Sequence, residues 1–388
     1  MTVSKQAVLV ITELFLPTKG GTAIWFDEVY RRLGGKNIHI VTATVPGCDV
    51  VDKHHANSIH RVDLKRVWWL KPESIVMYIK LFLISFRICM KEDIKAIHAG
   101  RVLPEGLIAL TVGKLLGKKI IIYAHGEEIT TWRQALKFRV MCFTYRHADT
   151  VIANSEFTKL ELTKLGVDEK NIVQIYPGVD IDRFIPTLNC TDLQQAINLR
   201  DDQLLILSVG RLSRRKGFDQ VIKSLTRLIE VGLDVKYALI GIGEDEQYLK
   251  SLAIKHGVED RVSFLGHVES SDLPRWYNAC DIFAMPNREI NGDTEGFGLV
   301  YLEAAACGKP SLAGLAGGTG SAVIDDETGV RIDGDCEDKI FDGLRKLLGD
   351  NNYRKQLGDQ AMHRARSEFS WEAVADRTTS KVGWKIEN

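Results

Sequence analysis

A chain of 388 residues with 45 % hydrophobic and 26 % charged residues has the composition of a globular protein rather than a disordered or fibrous one, and its length suggests two cores. Its 51 Lys and Arg balance 51 Asp and Glu, and no nucleic-acid partner is expected. The balance hides an asymmetry: residues 1–185 hold 26 Lys and Arg against 19 Asp and Glu, and the remainder holds 25 against 32. Opposed halves could attract each other, or the basic half could meet an anionic surface.

The N-terminal MTVSKQAVLVITELF does not read as a signal peptide, because its short apolar run VLVI is strand-like and has polar and acidic neighbours. The longest apolar run that invites a membrane reading, Leu81 to Phe86, is flanked by Lys80 and Arg87. It falls far short of the roughly 20 residues a spanning helix needs. A cytoplasmic protein is expected, either free or peripheral on the inner face of the cytoplasmic membrane. The seven cysteines are widely spaced with no C-x-x-C, which predicts reduced, mostly buried thiols rather than disulfides or a zinc site.

In chain order, AVLVITE (7–13) reads as a buried parallel strand. A helix over about 22–34 stops at Gly34-Gly35. Strands are predicted near 38–42, 95–98, 119–124, 149–153 and 171–175, with helices between. LLILSVG (204–210) restarts the alternation, a helix follows from Gly217, and strands recur at 236–240, 261–265 and 281–285. Helices are predicted near 244–256, 299–307 and 337–348. Two such series imply two doubly wound α/β domains. The polar stretch Asp180–Asn198 is the expected join, giving domains of 1–185 and 186–369. A C-terminal helix over about 370–388 is expected to pack back on the first. Sheets of this kind bind ligands at the carboxyl ends of their strands, so two such domains would face each other across a cleft.

Four loops at those ends carry candidate chemistry. In Leu14–Thr22, Gly20 and Gly21 open a helix, where backbone amides can approach an anion; glycine pairs also end strands without any ligand. In Gly210–Gly217, four cations (Arg211, Arg214, Arg215 and Lys216) precede a helix. That is a fit place for a diphosphate, although a solvated basic turn is the plain alternative. In Glu295–Ala304, a helix starting near Gly298 would place Glu303 in its second turn, leaning back toward Glu295. Carboxylates there could accept hydrogen bonds from sugar hydroxyls, or simply cap and solvate the helix. His125, after KKIIIYA, could contact a reacting sugar or be structural.

Together these pieces resemble glycosyltransferase family 4, of GT-B fold, over nearly the whole chain. The resemblance is carried by Gly20-Gly21, His125-Gly126, Asn154-Ser155, Pro177-Gly178-Val179-Asp180 with Arg183-Phe184, and Gly210-Arg211-Leu212 with Lys216-Gly217. Phe264–Val268, the pair Glu295 and Glu303, Ala306–Pro310 and Gly317-Gly318 complete it. It is nearest in character to the phosphatidylinositol-mannosyltransferase-like group, through Phe283–Arg288 and the run from Glu295 to Ala304.

The resemblance implies a retaining hexosyltransferase that needs no metal or cofactor. Its donor would be GDP-mannose or a UDP-sugar, with mannose favoured. The acceptor would be lipid-linked or a glycan, in cell-envelope or polysaccharide biosynthesis. It implies that Arg211 and Lys216 hold the diphosphate and that Glu303 binds the ribose. Glu295 and the amides of Phe297, Gly298, Leu299 and Val300 would bind the sugar and distal phosphate. The backbone near Val268 would contact the base, His125 the sugar near the reacting carbon, and Gly21 would let the first loop close. Of the family's Gly-Gly-x-Pro-Glu, this chain keeps only the glycines: Gly320 and Ser321 replace the Pro and Glu. Asp180-Ile181-Asp182 and Asp333-Gly334-Asp335 read as linker and turn, not as metal ligands.

The segments Trp68-Trp69 with Ile75–Met90, and Trp132–Arg146, mix apolar and aromatic residues with Lys and Arg. They predict peripheral contact with an anionic membrane, packed helices with solvated faces being the alternative. A sugar-nucleotide epimerase and a non-catalytic sugar-nucleotide-binding subunit are the competing functions. A nicotinamide dehydrogenase is disfavoured by the missing G-x-G-x-x-G.

Overall fold

The computed structural model describes residues 7–18, 20–65, 74–132 and 134–382. The chain forms two compact units, Met1–Pro177 with Trp371–Asn388, and Gly178–Ser370.

The first unit is built on a seven-stranded parallel sheet of order β3-β2-β1-β4-β5-β6-β7. Its strands are β1 Ala7–Ile11, β2 Ile38–Ala43, β3 Ser58–Val62, β4 Ile94–Ala99, β5 Lys119–Ala124, β6 Thr150–Ala153 and β7 Ile172–Gln174. Every residue of β1 is buried, because helices cover both faces of the sheet. The strand's period of two divides it between two cores. Leu9 and Ile11 pack with Leu81, Val112 and Met141 on one face. Val8 and Val10 pack with Phe26, Val29, Trp371 and Val374 on the other. The C-terminal helix Trp371–Val382 thus completes the first unit's core, and Arg32 Nε lies 2.8 Å from Glu372 Oε1 beside it.

The second unit has a six-stranded parallel sheet of order β10-β9-β8-β11-β12-β13. Its strands are β8 Leu204–Val209, β9 Val235–Ile240, β10 Val262–Gly266, β11 Ile282–Met285, β12 Ser311–Gly314 and β13 Gly329–Ile332. Both sheets reverse their winding once, between β1 and β4 and between β8 and β11. The loops on either side of such a reversal diverge and leave a crevice.

The sequence pattern does not reveal three strands. β3 (SIHRV) is an edge strand, half-buried along its length. β12 (SLAG) and β13 (GVRI) span four residues each and carry glycine with Ser or Arg, which leaves no apolar run to read. The helix Asn351–Glu368 is also unexpected: it buries only Leu357, Gly358, Ala361 and Ala365, a stripe of mostly small residues that a hydrophobicity pattern barely registers. The first unit ends at Pro177, ahead of the Asp180–Asn198 join expected from composition. Val179 donates its N–H to Phe369 O at 2.7 Å, and Asn278 Nδ2 donates to Ile185 O at 2.9 Å. The polar stretch is therefore stitched into the second unit.

All seven cysteines are free thiols, five of them buried. Among the described residues, no helix is long and apolar enough to cross a membrane.

Candidate active site

In the second unit the two loops beside the reversal are tied to each other. After β8 the chain makes a single 3₁₀ turn, Arg214–Lys216, and enters the helix Phe218–Glu230 through Gly217 at φ +75°. A Cβ on Gly217 would lie 2.1 Å from Pro286 O. Only glycine permits both that backbone conformation and that approach. The N–H of Arg288 donates to Arg215 O at 2.8 Å, and the Arg288 guanidinium makes a buried pair with Asp219 at 2.9 Å.

This contact brings Lys216 Nζ to 2.5 Å from Glu295 Oε2. Arg215 Nη1 reaches the same oxygen at 3.0 Å, and its Nε reaches Asp293 Oδ2 at 3.1 Å. The Lys216 and Glu295 side chains are only 11 % and 13 % exposed. Burial alone would raise the Glu295 pKa, but the charges and hydrogen bonds of Lys216 and Arg215 outweigh it and hold the carboxyl below its usual range. Arg211 stands apart. Leu212 is anchored inward, its N–H on Ile242 O, so its neighbour turns outward. Arg211 is 74 % exposed and pairs with Glu244 at 3.0 Å. The structure thus joins Lys216 to Glu295, does not bring Arg211 with them, and adds Arg215.

The helix Leu299–Ala306 begins after Gly298 at φ +90°, where a Cβ would meet the Tyr301 ring at 2.6 Å. Tyr301 Oη donates to Met285 O at 2.6 Å, pinning the helix start to the end of β11. Its first turn presents amides, those of Leu299 and Val300, that the helix does not use itself. Phe297 is buried against Phe369. Glu303 does not lean on Glu295 as the helical spacing suggested. It accepts from Tyr277 Oη at 2.7 Å, while the cations draw Glu295 to the loop after β8. Burial raises the Glu303 pKa, opposed by the tyrosine hydrogen bond and by Arg183. Val268 is half-buried in the loop after β10.

The Gly317–Ser321 segment lies directly beneath Glu295, with the N–H of Gly318 on Glu295 O at 2.7 Å. A side chain at Gly320 would come within 2.9 Å of the Arg331 guanidinium. Sequence reasoning missed Arg215 as a contact of Glu295, Tyr277 as a partner of Glu303, and the Arg288–Asp219 brace. Arg215 was visible within the cation cluster; the other two had no local signal.

In the first unit, Gly20 sits at the N-cap of the helix Gly21–Tyr30 with φ +146° and open space around it. His125 follows β5. Its Nε2 lies 2.8 Å from Gly100 O, so the proton is on Nε2 and Nδ1 keeps its lone pair. Burial lowers its pKa against the opposing field of Glu128, keeping the ring neutral. Its backbone N–H donates to Glu128 Oε1 at 3.0 Å, which also accepts from Tyr145 Oη at 2.6 Å.

Glu105 spans the winding reversal of this sheet. Its Oε1 accepts the N–H of Glu13 at 3.0 Å, while its buried Oε2 has no partner among the described residues. Burial pushes its pKa up from 4.5 to about 7. The folded protein therefore holds a proton that the unfolded chain releases at lower pH. That contribution is fully present below pH 4.5 and is lost as pH rises through about 7. Glu105→Gln keeps the Glu13 contact and cannot ionise. It is expected to match the wild type at pH 5 and to exceed its stability at pH 8 by about 2–3 kcal/mol. Melting curves across that range check this, and a difference independent of pH would refute it.

Two family models match the chain. "Glycosyl transferases group 1" covers residues 191–364 and "Glycosyltransferase Family 4" covers residues 19–183. The chain is 28 % identical to the GDP-mannose-dependent alpha-(1-6)-phosphatidylinositol monomannoside mannosyltransferase of Mycolicibacterium smegmatis, over 98 % of this chain and 99 % of the relative. It is also 28 % identical to the GDP-mannose-dependent monoacylated alpha-(1-6)-phosphatidylinositol monomannoside mannosyltransferase of Corynebacterium glutamicum, over 97 % and 98 % of the two chains. Among solved structures, Anabaena HepE in complex with UDP superposes with a TM-score of 0.80 at 18 % identity, covering 97 % of this chain and 100 % of that one. That likeness shows the fold.

Proposed function

The chain belongs to glycosyltransferase family 4, with the GT-B fold of two Rossmann-like domains, and on that premise we propose that it moves a mannosyl group from GDP-mannose to a lipid-linked or glycan acceptor, retaining the anomeric configuration and without a metal. The donor preference rests on relatives that match end to end and are GDP-mannose-dependent.

The observation that carries the reading is the cluster of Lys216, Arg215 and Glu295 at the second sheet's reversal. When the glycosidic bond breaks, negative charge grows on the departing nucleoside diphosphate. In this reading the diphosphate takes Lys216 and Arg215 from Glu295, and the first-turn amides at Leu299 and Val300 add their dipoles. These cations take the place of a divalent ion. Glu295, freed of them, accepts hydroxyls of the mannose. Glu303, oriented by Tyr277, takes the ribose hydroxyls, and the backbone near Val268 takes the base. Arg211, on its exposed arm, swings in from Glu244 to the distal side of the diphosphate. In the first unit, His125 carries Nδ1 as an acceptor for a substrate hydroxyl, and the Gly20-Gly21 turn has open space for an anion at the start of its helix.

Membrane contact has support in the helices Ile75–Lys91 and Ala135–Arg146. Ile75, Ile79 and Leu83 lie exposed along one face of the first, and Leu136 and Phe143 along the second, with Lys80, Arg87 and Arg139 nearby in sequence. This is the pattern of a helix resting on an anionic bilayer. Trp68, Trp69 and Arg133 lie outside the described residues.

A thermal-shift series with GDP-mannose and UDP-sugars tests the donor. GDP-mannose at a hundredfold excess over its Kd is expected to stabilise by about 2.7 kcal/mol. A shift with UDP-sugars alone would overturn the mannose assignment, and no shift with any sugar nucleotide would overturn the donor site.

A further inference from the structure

The loop after β11 contains a tight turn just ahead of Glu295. Ile290 and Asp293 exchange both backbone hydrogen bonds, each N–H donating to the other's carbonyl at 2.9 Å. Between them, Asn291 and Gly292 have φ of +54° and +83°, the left-handed pair of a two-residue hairpin turn of type I′. Asparagine and glycine are the residues that adopt it most readily. The turn fixes the backbone of Asp293 two positions before Glu295.

Asp293 is aimed at Arg215. Its Oδ2 lies 3.1 Å from Arg215 Nε, on a different edge of the guanidinium from Nη1, which reaches Glu295 Oε2 at 3.0 Å. The other oxygen, Oδ1, is buried with no hydrogen-bond partner among the described residues. A carboxylate oxygen left in that state is costly, so Asp293 depends on Arg215, its one paired cation among the described residues. The neighbouring arginines are held elsewhere. Arg211 pairs with Glu244, and Arg214 pairs with Asp245 and lies 3.7 Å from the centre of the Tyr248 ring. Both are drawn to the segment after β9. Arg215 alone of the three is held between two carboxylates of the loop after β11.

We propose that Asp293 is a positioning residue for the donor: it keeps its hold on Arg215 Nε while Nη1 passes from Glu295 to the diphosphate. An arginine already held at one edge has lost much of its side-chain freedom, so its second grip costs less entropy than that of a free arm. The proposal rests on the glycosyltransferase reading and deepens it, because it assigns the orientation of one buried cation to the turn Ile290–Asp293. The diphosphate is charged in the bound donor and in the nucleoside diphosphate product alike. The contribution of Asp293 therefore falls on binding rather than on the chemical step. Asp293 is also an anion near an anionic ligand, but its carboxylate is 44 % exposed and that repulsion is screened.

Calorimetric binding of GDP and UDP to the full chain, with steady-state kinetics on the corresponding sugar nucleotide, tests this in four variants: Asp293→Ala, Asp293→Asn, Arg215→Met, and Asp293→Ala combined with Arg215→Met. Asp293→Ala is expected to raise KM for the sugar nucleotide and Kd for its nucleoside diphosphate about tenfold, with kcat within about threefold of the wild type. Asp293→Asn keeps an oxygen for Nε and is expected to recover most of that loss. In the Arg215→Met background, Asp293→Ala is expected to add less than about twofold, because its partner is gone. Tighter nucleoside diphosphate binding by both Asp293 variants would make the carboxylate a competing anion and overturn the proposal. So would a loss in Asp293→Ala that persists at full size in the Arg215→Met background, or one that falls on kcat alone, as a general loosening of the loop gives. If the wild type binds a nucleoside diphosphate and Asp293→Ala binds it equally, the positioning role fails and the donor reading stands. If the wild type binds neither nucleoside diphosphates nor sugar nucleotides, the donor reading itself fails and the positioning role falls with it.

Discussion

Lys216→Met is expected to lower kcat/KM with GDP-mannose by about 10²- to 10³-fold, mostly through kcat. Lys216 is the best-placed cation in the second unit: its ammonium lies 2.5 Å from Glu295 with little solvent around either group. In the proposed reaction this charge passes from Glu295 to the developing diphosphate, and removing one charge-stabilising group of this kind costs about two to three powers of ten. Because it acts on charge that appears during bond breaking, the loss falls on the chemical step. The substitution leaves Glu295 with Arg215 alone, so stability falls by only about 1–2 kcal/mol. Arg211→Met is the control. Its side chain is solvated and paired to Glu244, so a loss of about tenfold or less is expected. Steady-state kinetics of the two variants decide the matter. Equal losses would mean that the diphosphate is gripped from the exposed arm, not from the buried cluster.

Gly217→Ala is expected to destabilise the protein by about 3 kcal/mol and to cost about 10² in kcat/KM, although it removes no functional group. An alanine at φ +75° costs roughly 1–2 kcal/mol by itself. Its Cβ would then sit 2.1 Å from Pro286 O and 2.8 Å from the carbonyl carbon. Both are backbone atoms that cannot rotate away, so the loop after β8 must lift off the loop after β11. Lys216 is the adjacent residue and moves with it. Gly232→Ala gives the comparison: φ is +85° there, but nothing lies within 4 Å of the new Cβ. It should lose about 1 kcal/mol and no activity. Denaturation midpoints and kinetics of the pair separate backbone strain from collision. Equal effects would show that the approach of Pro286 does not hold the site together.

The strands readable in the sequence are those buried on both faces. AVLVI, KIIIYA and LLILSV are runs of apolar residues bounded by turns, and hydrophobic burial writes such runs directly. β3, β12 and β13 were not readable, because polar residues in SIHRV and glycine with Ser or Arg in SLAG and GVRI leave no apolar run. The helix Asn351–Glu368 packs mostly through small residues, so its buried stripe contributes little hydrophobicity.

At the site the division is finer. The order of the loops and the types of their residues determined the family, the two parallel-sheet domains and the candidate status of Lys216, Glu295, Glu303 and His125. Tertiary structure decided which of these meet. Four cations within six residues are equivalent in sequence; the inward anchoring of Leu212 and the docking of Gly217 on Pro286 turn Arg215 and Lys216 toward Glu295 and Arg211 toward solvent. Two glutamates at helical spacing suggest a pair, yet ion pairing draws Glu295 to one loop and Tyr277 holds Glu303 from another helix. Sequence records what each residue can do within a few positions of itself, because local periodicity and turn chemistry are local forces. Partners some 80 residues apart, such as Lys216 and Glu295, are chosen by the packing of strands and loops that only the folded chain brings side by side.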